Sequence, residues 1–181
     1  MRTITIEPHN PHWFDAYEKE QVKLKDVLSD EVLSVHHIGS TSVPGLAAKP
    51  VIDILLEIKS LERLDNYNTI LQQLGYTPRG ENGISGRRYF IKGGDSRTHH
   101  IHAFESGSIH ITRHLAFRDY LRRHTDIAQQ YAAIKFKAAE SCDHDSAIYC
   151  QLKSEFIHLH EKMAFEALAL NVDQSLDAQG C

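Results

Sequence analysis

The eight residues from Val51 to Ile58 constrain the fold more than any other part of the sequence. They read Val-Ile-Asp-Ile-Leu-Leu-Glu-Ile, a run that is aliphatic, β-branched and nearly continuous. A short apolar run of this kind is typical of a strand buried on both faces, which predicts an interior position in a β-sheet. Because an unpaired buried carboxylate is costly, Asp53 needs a partner. A divalent cation is one candidate, and an ion pair at the edge or end of the strand is the other.

Hydrophobic spacing and the positions of glycine and proline predict the other elements. Strands are predicted over 3–7, 32–38, 76–79, 87–92 and 98–105, and helices over 13–28, 61–74, 115–123, 127–139 and 146–169. The segment Gly93-Gly94-Asp95-Ser96 predicts a hairpin between the last two strands, and Pro78 confines its strand to a sheet edge. The sequence therefore predicts an α+β fold, with helices packed on a small mixed β-sheet and a helical C-terminal part.

Length and charge narrow the class of protein. A chain of 181 residues can bury one full core, so we expect one domain over residues 1–170 and a polar, frayed tail over 171–181. The net charge of −4 argues against bulk binding of nucleic acid, so any bound anion needs a local positive patch. Three cysteines without a C-x-x-C pair indicate a reducing compartment. We expect a cytoplasmic protein without a membrane span, because no apolar run approaches the ~20 residues required.

A small-residue turn precedes the Asp53 strand. Gly39 and Ser40 end a predicted strand, and such a turn directs backbone N–H groups and a hydroxyl at one spot. A helix beginning near residues 42–46 would add a further preference for an anion. A phosphate-binding turn beside a carboxylate that holds Mg²⁺ is the chemical minimum for phosphoryl or nucleotidyl transfer. Taken alone, a turn of this composition is also common in structural loops.

Histidine is abundant, with 13 residues, and two of them share a predicted strand face. His100 and His102 alternate with Ile101, so their side chains point the same way. Two such imidazoles can ligate a metal or, when protonated, bind phosphate. The alternative is that they lie on a partly exposed sheet face without a functional role.

Basic and aromatic residues recur in the second half of the chain. Arg87 lies in a predicted strand, Arg118 shares a helix face with Arg122, and Tyr131 is four residues before Lys135. Solvated helix faces explain such charges in most proteins. The alternative is that these residues form a patch that binds a nucleotide. Such a patch would provide local positive charge on a protein whose net charge is −4.

Residues 37–54, which read HIGSTSVPGLAAKPVIDI, closely resemble the signature of the GrpB family. This family is a group within the nucleotidyltransferase superfamily, which has the DNA polymerase beta-like fold. Further stretches resemble the family in the same order, and together they cover roughly residues 10 to 165: residues 80–87, 100–102 and 117–122, then Tyr131 with Lys135. The resemblance implies a nucleotidyltransferase-type fold.

In that superfamily a Gly-Ser turn binds phosphate, and the strand that follows carries an acid-hydrophobic-acid motif, with a third acid on a later strand. Two Mg²⁺ ions bridge these acids and a triphosphate. The resemblance implies that Gly39, Ser40 and Thr41 form the phosphate-binding turn and that Asp53 is the first metal ligand. The second acid is missing, because position 55 is Leu55. Glu57 lies about 6–7 Å beyond that position by strand rise, too far to share a metal with Asp53.

The resemblance therefore implies a metal-dependent nucleotidyltransferase that acts on a nucleoside triphosphate and a small-molecule or protein acceptor. Glu81, His100 and His102 are the candidates for the missing ligands, with Asp53 and Glu81 as the expected catalytic pair. Mg²⁺ or Mn²⁺ is the expected ion, and a transition metal is the alternative because imidazole suits such metals. The side chains expected to contact phosphate outside the turn are Lys49, Arg87, Arg118 and Lys135.

Two alternatives remain open at this point. One is a non-catalytic module that binds a nucleotide or a coenzyme A fragment, which the missing acid favours. Some relatives resemble a domain fused to dephospho-coenzyme A kinase, which points to the same ligands. The other is a metal-dependent phosphohydrolase that uses His100 and His102.

Overall fold

The computed structural model describes residues 4–177, and the side chains of residues 4–169. These residues form five strands and six α-helices, which confirms the mixed α+β class. In chain order the elements are α1 (His12–Leu28), β1 (Val32–Ile38), β2 (Ile52–Ile58), α2 (Leu61–Asp65), α3 (Asn68–Gln73), β3 (Tyr76–Pro78), β4 (Arg87–Lys92), β5 (His99–Glu105), α4 (Ile109–Arg123), α5 (Thr125–Ser141) and α6 (Ser146–Asp177).

The five strands form one sheet in the order β1-β2-β5-β4-β3. Strand β2 is antiparallel to β1 and parallel to β5, so it has neighbours on both sides, as its apolar composition predicts. Strands β4 and β5 form the predicted antiparallel hairpin. Strand β3 lies at the sheet edge, where the missing N–H of Pro78 costs no ladder hydrogen bond.

Alternation along β2 sends its side chains to two different layers. Ile54, Leu56 and Ile58 are fully buried and pack in the main core with Trp13 and Leu24 of α1. The odd-numbered residues point to the opposite face. There Leu55 packs in a second apolar cluster with Ile38, Phe104 and Ile111, the last of which belongs to α4. The sheet therefore carries its polar residues Asp53 and Glu57 on the face that α4 partly covers.

Three local predictions are wrong. Residues 4–7 form no strand, because Glu7 makes only an isolated bridge with Ala48, and residue 3 of the predicted strand lies outside the described residues. No α-helix begins near residues 42–46. A 3-10 turn spans Ser40–Ser42 instead, and the N–H of Val43 donates a hydrogen bond to the carbonyl of Ser40. The predicted helix over 61–74 is two short helices, α2 and α3.

The C-terminal helices are longer than their apolar spacing predicts. Helices α4 and α5 begin at Ile109 and Thr125, and α6 continues to Asp177. Residues 171–177, predicted as part of a frayed tail, belong to this helix, and 178–181 lie outside the described residues. No helix of the described part is long and apolar enough to cross a membrane.

Candidate metal centre and its basic pocket

The register between β2 and β5 brings one carboxylate and two imidazoles together. Asp53 is the direct neighbour of His100, and His102 lies two pairs further along the two parallel strands, opposite Leu55. Nδ1 of His100 is 3.0 Å and Nε2 of His102 is 3.6 Å from Oδ1 of Asp53. The three residues each offer a ligand atom, and these atoms lie within 4.8 Å of one another. We call these three residues the triad.

The electrostatics of the triad favour an ionised carboxylate and a neutral His102. Burial raises the pKa of Asp53, but hydrogen bonds and charge from His100 and His102 outweigh it, and the pKa lies well below its usual range. Burial lowers the pKa of His102, which the Asp53 carboxylate opposes and Arg87 reinforces. Deprotonated carboxylates and neutral imidazoles are the forms that bind metal ions.

The chemistry of the donor set fits a divalent metal. One carboxylate oxygen and two imidazole nitrogens suit Mn²⁺, Zn²⁺ or another transition metal, since imidazole is a better ligand for these ions than for Mg²⁺. Nε2 of His100 is buried without a hydrogen-bond partner. A buried nitrogen of this kind is costly unless it gains a partner, so the triad has unused bonding capacity on the side of His100.

The turn after β1 fits closely against Asp53. Gly39 has φ +69°, and a Cβ on it would lie 2.6 Å from Oδ2 of Asp53. Behind the turn, Nε2 of His37 lies 2.9 Å from the hydroxyl of Thr41, and the imidazole stacks on Tyr17 with ring centroids 4.6 Å apart. Burial lowers the pKa of His37 to about 4. A neutral, buried ring therefore fixes the position of the turn.

A pocket of about 400 Å³ opens beside the triad, a size within the range of small-molecule sites. Its walls contain all three triad residues, and among the described residues that line it Asp53 is the single carboxylate. Four cationic side chains share these walls: Lys49, Arg97, Lys135 and Lys153. The positive charge in this part of the molecule is therefore concentrated in one cleft.

Several predicted site residues do meet in this pocket. Ser40, Thr41, Lys49 and Lys135 line it together with the triad, and Gly39 contacts Asp53 from the turn. Lys135 is buried and donates a hydrogen bond to the carbonyl of Ala47.

Glu81, Arg87 and Arg118 do not line the pocket. The Glu81 carboxylate accepts a hydrogen bond from the N–H of Gly86, 2.7 Å away, and stays in its own loop. Arg87 donates to the carbonyls of Glu81 and Asn82, and its Nη1 lies 3.4 Å from Nδ1 of His102.

The guanidinium of Arg118 donates to the carbonyl of His37 and pairs with Asp119. Arg87 and Arg118 therefore support the residues behind the site, at His102 and at the end of β1.

The sequence did not reveal the wall that α6 contributes. Tyr149, Cys150 and Lys153 line the pocket from this helix, and Tyr89 and Arg97 line it from β4 and the hairpin loop. No sequence pattern marks these α6 residues as part of the site, because they line the pocket only through the packing of the C-terminal helices. Tyr89 could have been predicted as a site residue from the hairpin, because it is the register partner of His102 between β4 and β5.

The fold and site define a mixed α+β protein with an Asp-His-His cluster beside a cationic pocket. The family model described as GrpB protein matches residues 3–163, so the chain belongs to the GrpB family. It is 46% identical over 163 residues to the UPF0157 protein YqkA of Bacillus subtilis, covering 90% of this chain and 48% of that protein. The chain thus spans about half the length of this relative.

A solved structure has the same fold. The crystal structure of conserved protein GrpB from Enterococcus faecalis superposes with a TM-score of 0.87 and 40% sequence identity, covering 91% of this chain and 99% of that one. A more distant similarity joins the chain to the dephospho-CoA kinase of Mycolicibacterium paratuberculosis. The two are 26% identical over 176 residues, which cover 83% of this chain and 43% of the kinase.

Proposed function

We propose that this protein is a metal-dependent nucleotidyltransferase that moves a nucleotidyl group from a nucleoside triphosphate to a small-molecule or protein acceptor. One observation carries the proposal: Asp53, His100 and His102 converge within 4.8 Å on the wall of a pocket that also contains Ser40 and four cationic side chains. A metal centre beside a positively charged pocket suits the transfer of phosphorylated groups.

The topology supports the resemblance to the nucleotidyltransferase superfamily. That pattern needs a Gly-Ser turn next to the first acid, and Gly39 contacts the Asp53 carboxylate directly. It also needs a further ligand from a later strand, and β5 lies beside β2 with His100 opposite Asp53. The second acid is replaced by Leu55, which is fully buried.

The residues of the chain would divide the work as follows. Asp53, His100 and His102 would hold the metal ion, which when bound polarises a phosphate oxygen. Lys49 and Lys135 would neutralise charge on the phosphates, and the turn at Ser40 would orient them. An acceptor hydroxyl oxygen forms a bond to the α-phosphorus while the bond from that phosphorus to the bridging oxygen breaks. Pyrophosphate leaves with the bond electrons, and the hydroxyl proton passes to solvent.

The test is formation of a nucleotidylated product from nucleoside triphosphates labelled at the α-phosphate, supplied with Mn²⁺ or Mg²⁺ and a panel of acceptors. The Asp53→Asn variant keeps the size of the side chain but removes its charge, and should lose at least 100-fold of the product. Asp95→Asn changes an exposed acid in the β4–β5 hairpin and should leave product formation unchanged. Equal activity of Asp53→Asn and the wild type would refute the proposal.

A second candidate function is a non-catalytic module that binds a nucleotide or a coenzyme A fragment. Leu55 favours it, because the residue fills the position of the second acid and is buried among Ile38, Phe104 and Ile111. The similarity to a dephospho-CoA kinase is consistent with such ligands. Isothermal titration with nucleoside triphosphates and with coenzyme A separates the two candidates. Binding that depends on Asp53, with no labelled product from any acceptor, supports the module.

A further inference from the structure

Three lysines from distant parts of the chain approach the same pocket. Lys49 precedes β2, Lys135 lies on α5, and Lys153 lies on α6. The ammonium groups of Lys49 and Lys153 are 3.7 and 4.1 Å from the ring centroid of Tyr149. Lys135 lies with its ammonium group 4.5 Å from the ring centroid of Tyr131. Aromatic faces on two helices thus hold the lysines towards the cleft.

Among the described residues, no ion pair with a carboxylate within 4.0 Å neutralises the charge of Lys135 or Lys153. Asp53 is the one carboxylate on the pocket wall, and its Oδ1 is already engaged by His100. Clustered like charges in a partly buried site are unfavourable unless an anion accompanies them.

Burial confirms that this cluster is costly without a counter-ion. Desolvation lowers the pKa of Lys135 to about 7, and the charge of Lys153 adds to the shift. Desolvation also lowers the pKa of Lys153, against the influence of Cys150 and Asp53. A buried ammonium has three N–H donors, and the bond to Ala47 uses one of those on Lys135. The remaining donors are available to an oxyanion.

We propose that Lys49, Lys135 and Lys153 form a polyphosphate subsite, with Lys153 of α6 as its defining residue. Several adjacent phosphates carry more negative charge than one phosphate does, so they suit three cations in one pocket better. The inference rests on the proposed function in one respect, since this subsite would receive the terminal phosphates that leave as pyrophosphate. The subsite itself requires no reaction and no metal.

The experiment is isothermal titration of the whole chain with inorganic tripolyphosphate in the absence of metal ions. We expect the wild type to bind and Lys153→Met to bind roughly tenfold to hundredfold more weakly. Lys162→Met is the matched control on the same helix, because Lys162 is exposed and pairs with Glu166, and it should bind like the wild type. Inorganic phosphate should bind more weakly than tripolyphosphate, and added salt should weaken both.

Lys153→Arg provides the second arm, because it keeps the charge and should retain most of the affinity. Circular dichroism of each variant checks that the helices remain folded. If the wild type binds no tripolyphosphate, or if Lys153→Met binds it as tightly as Lys162→Met, the subsite does not exist. Tripolyphosphate binding that is lost in Lys153→Met, together with no nucleotidylated product from the wild type, would retain the subsite and reject the transferase.

Discussion

The most discriminating perturbation is Gly39→Ala. Gly39 has φ +69° and ψ −174°, a backbone region that is almost exclusive to glycine. A Cβ at this position would lie 2.6 Å from Oδ2 and 3.1 Å from the Cβ of Asp53. Because real Cβ atoms do not approach other atoms so closely, the Asp53 carboxylate has to move from its position beside His100 and His102.

The expected cost has two parts. An alanine held in this backbone region costs about 1–3 kcal/mol. Displacement of the carboxylate breaks its 3.0 Å contact with Nδ1 of His100, and a hydrogen bond to a charged group contributes about 1.5–3 kcal/mol. Gly39→Ala should therefore lower the free energy of unfolding by roughly 3–5 kcal/mol. It should also weaken binding of Mn²⁺ or Zn²⁺ about 100-fold, because one of three ligands is displaced.

Urea unfolding measures the first effect, and isothermal titration with Mn²⁺ and Zn²⁺ measures the second. Gly45→Ala is the matched control in the same loop. Gly45 also has a positive φ, +78°, but a Cβ there would meet no atom within 4 Å. This control should lose only the backbone contribution, about 1–2 kcal/mol, and should bind the ion like the wild type.

The double variant Gly39→Ala/Asp53→Ala tests the clash directly. With the carboxylate removed, the alanine at position 39 has less to collide with, so the two substitutions should be less than additive by about 1–2 kcal/mol. Strict additivity would show that the glycine matters for its backbone alone. An ion affinity equal to that of the wild type in Gly39→Ala would refute the inferred contact between the turn and the triad.

Three further predictions concern stability. Leu24→Ala removes a fully buried side chain of α1 and should cost about 2–5 kcal/mol in urea unfolding, whereas Val22→Ala, at a 65% exposed position, should cost under about 0.5 kcal/mol. Because the folded-state pKa of His37 is about 4, below its unfolded value of about 6.5, the unfolded chain binds the extra proton. His37 alone should thus remove about 3 kcal/mol of stability as the pH falls from 6.5 to 4, and His37→Phe should flatten that part of the profile. Lys135 has a folded-state pKa of about 7 against about 10.4 unfolded, so its contribution should make the stability of the wild type rise between pH 7 and pH 10. Thermal unfolding of Lys135→Met should show a smaller rise over this range, with the remainder due to groups such as Lys153, whose pKa is also lowered.

Local patterns predict the elements in which one face or both faces meet the core. Strand β2 is identifiable because its run is apolar except for Asp53 and Glu57, and α1 because its buried residues recur at helical spacing. The break between α2 and α3 is not visible in this way. Leu64 and Leu71 both belong to the main core, so their spacing predicts one helix. The chain instead turns at Asn66, whose N–H bonds the carbonyl of Arg63, and Asn is a poor residue for a helix interior.

The residues of the site likewise include some that local patterns predict and others that depend on tertiary packing. Alternation along a strand is enough to predict that His100 and His102 share a face, and the buried run is enough to mark Asp53. That β5 lies beside β2 depends on sheet topology, which short-range patterns do not encode. Lys153 comes from a helix 100 residues after Asp53, so its arrival at the pocket depends on how α6 packs. Glu81 lies in a sequence motif that resembles the family, but its carboxylate accepts a hydrogen bond from the N–H of Gly86 and stays in its own loop.

Leu55 occupies the position at which the resemblance to the nucleotidyltransferase superfamily implies a second acid. An acidic side chain at position 55 would be surrounded by Ile38, Phe104 and Ile111, at a high desolvation cost. The register partner of Leu55 on β5 is His102, as His100 is that of Asp53. The pair of ligands two residues apart is therefore present, but on the neighbouring strand, roughly 4.8 Å away. Exchanging a second carboxylate for imidazoles lowers the negative charge of the site and favours a transition metal over Mg²⁺. On this reasoning we expect the triad to bind one Mn²⁺ or Zn²⁺ ion with higher affinity than Mg²⁺.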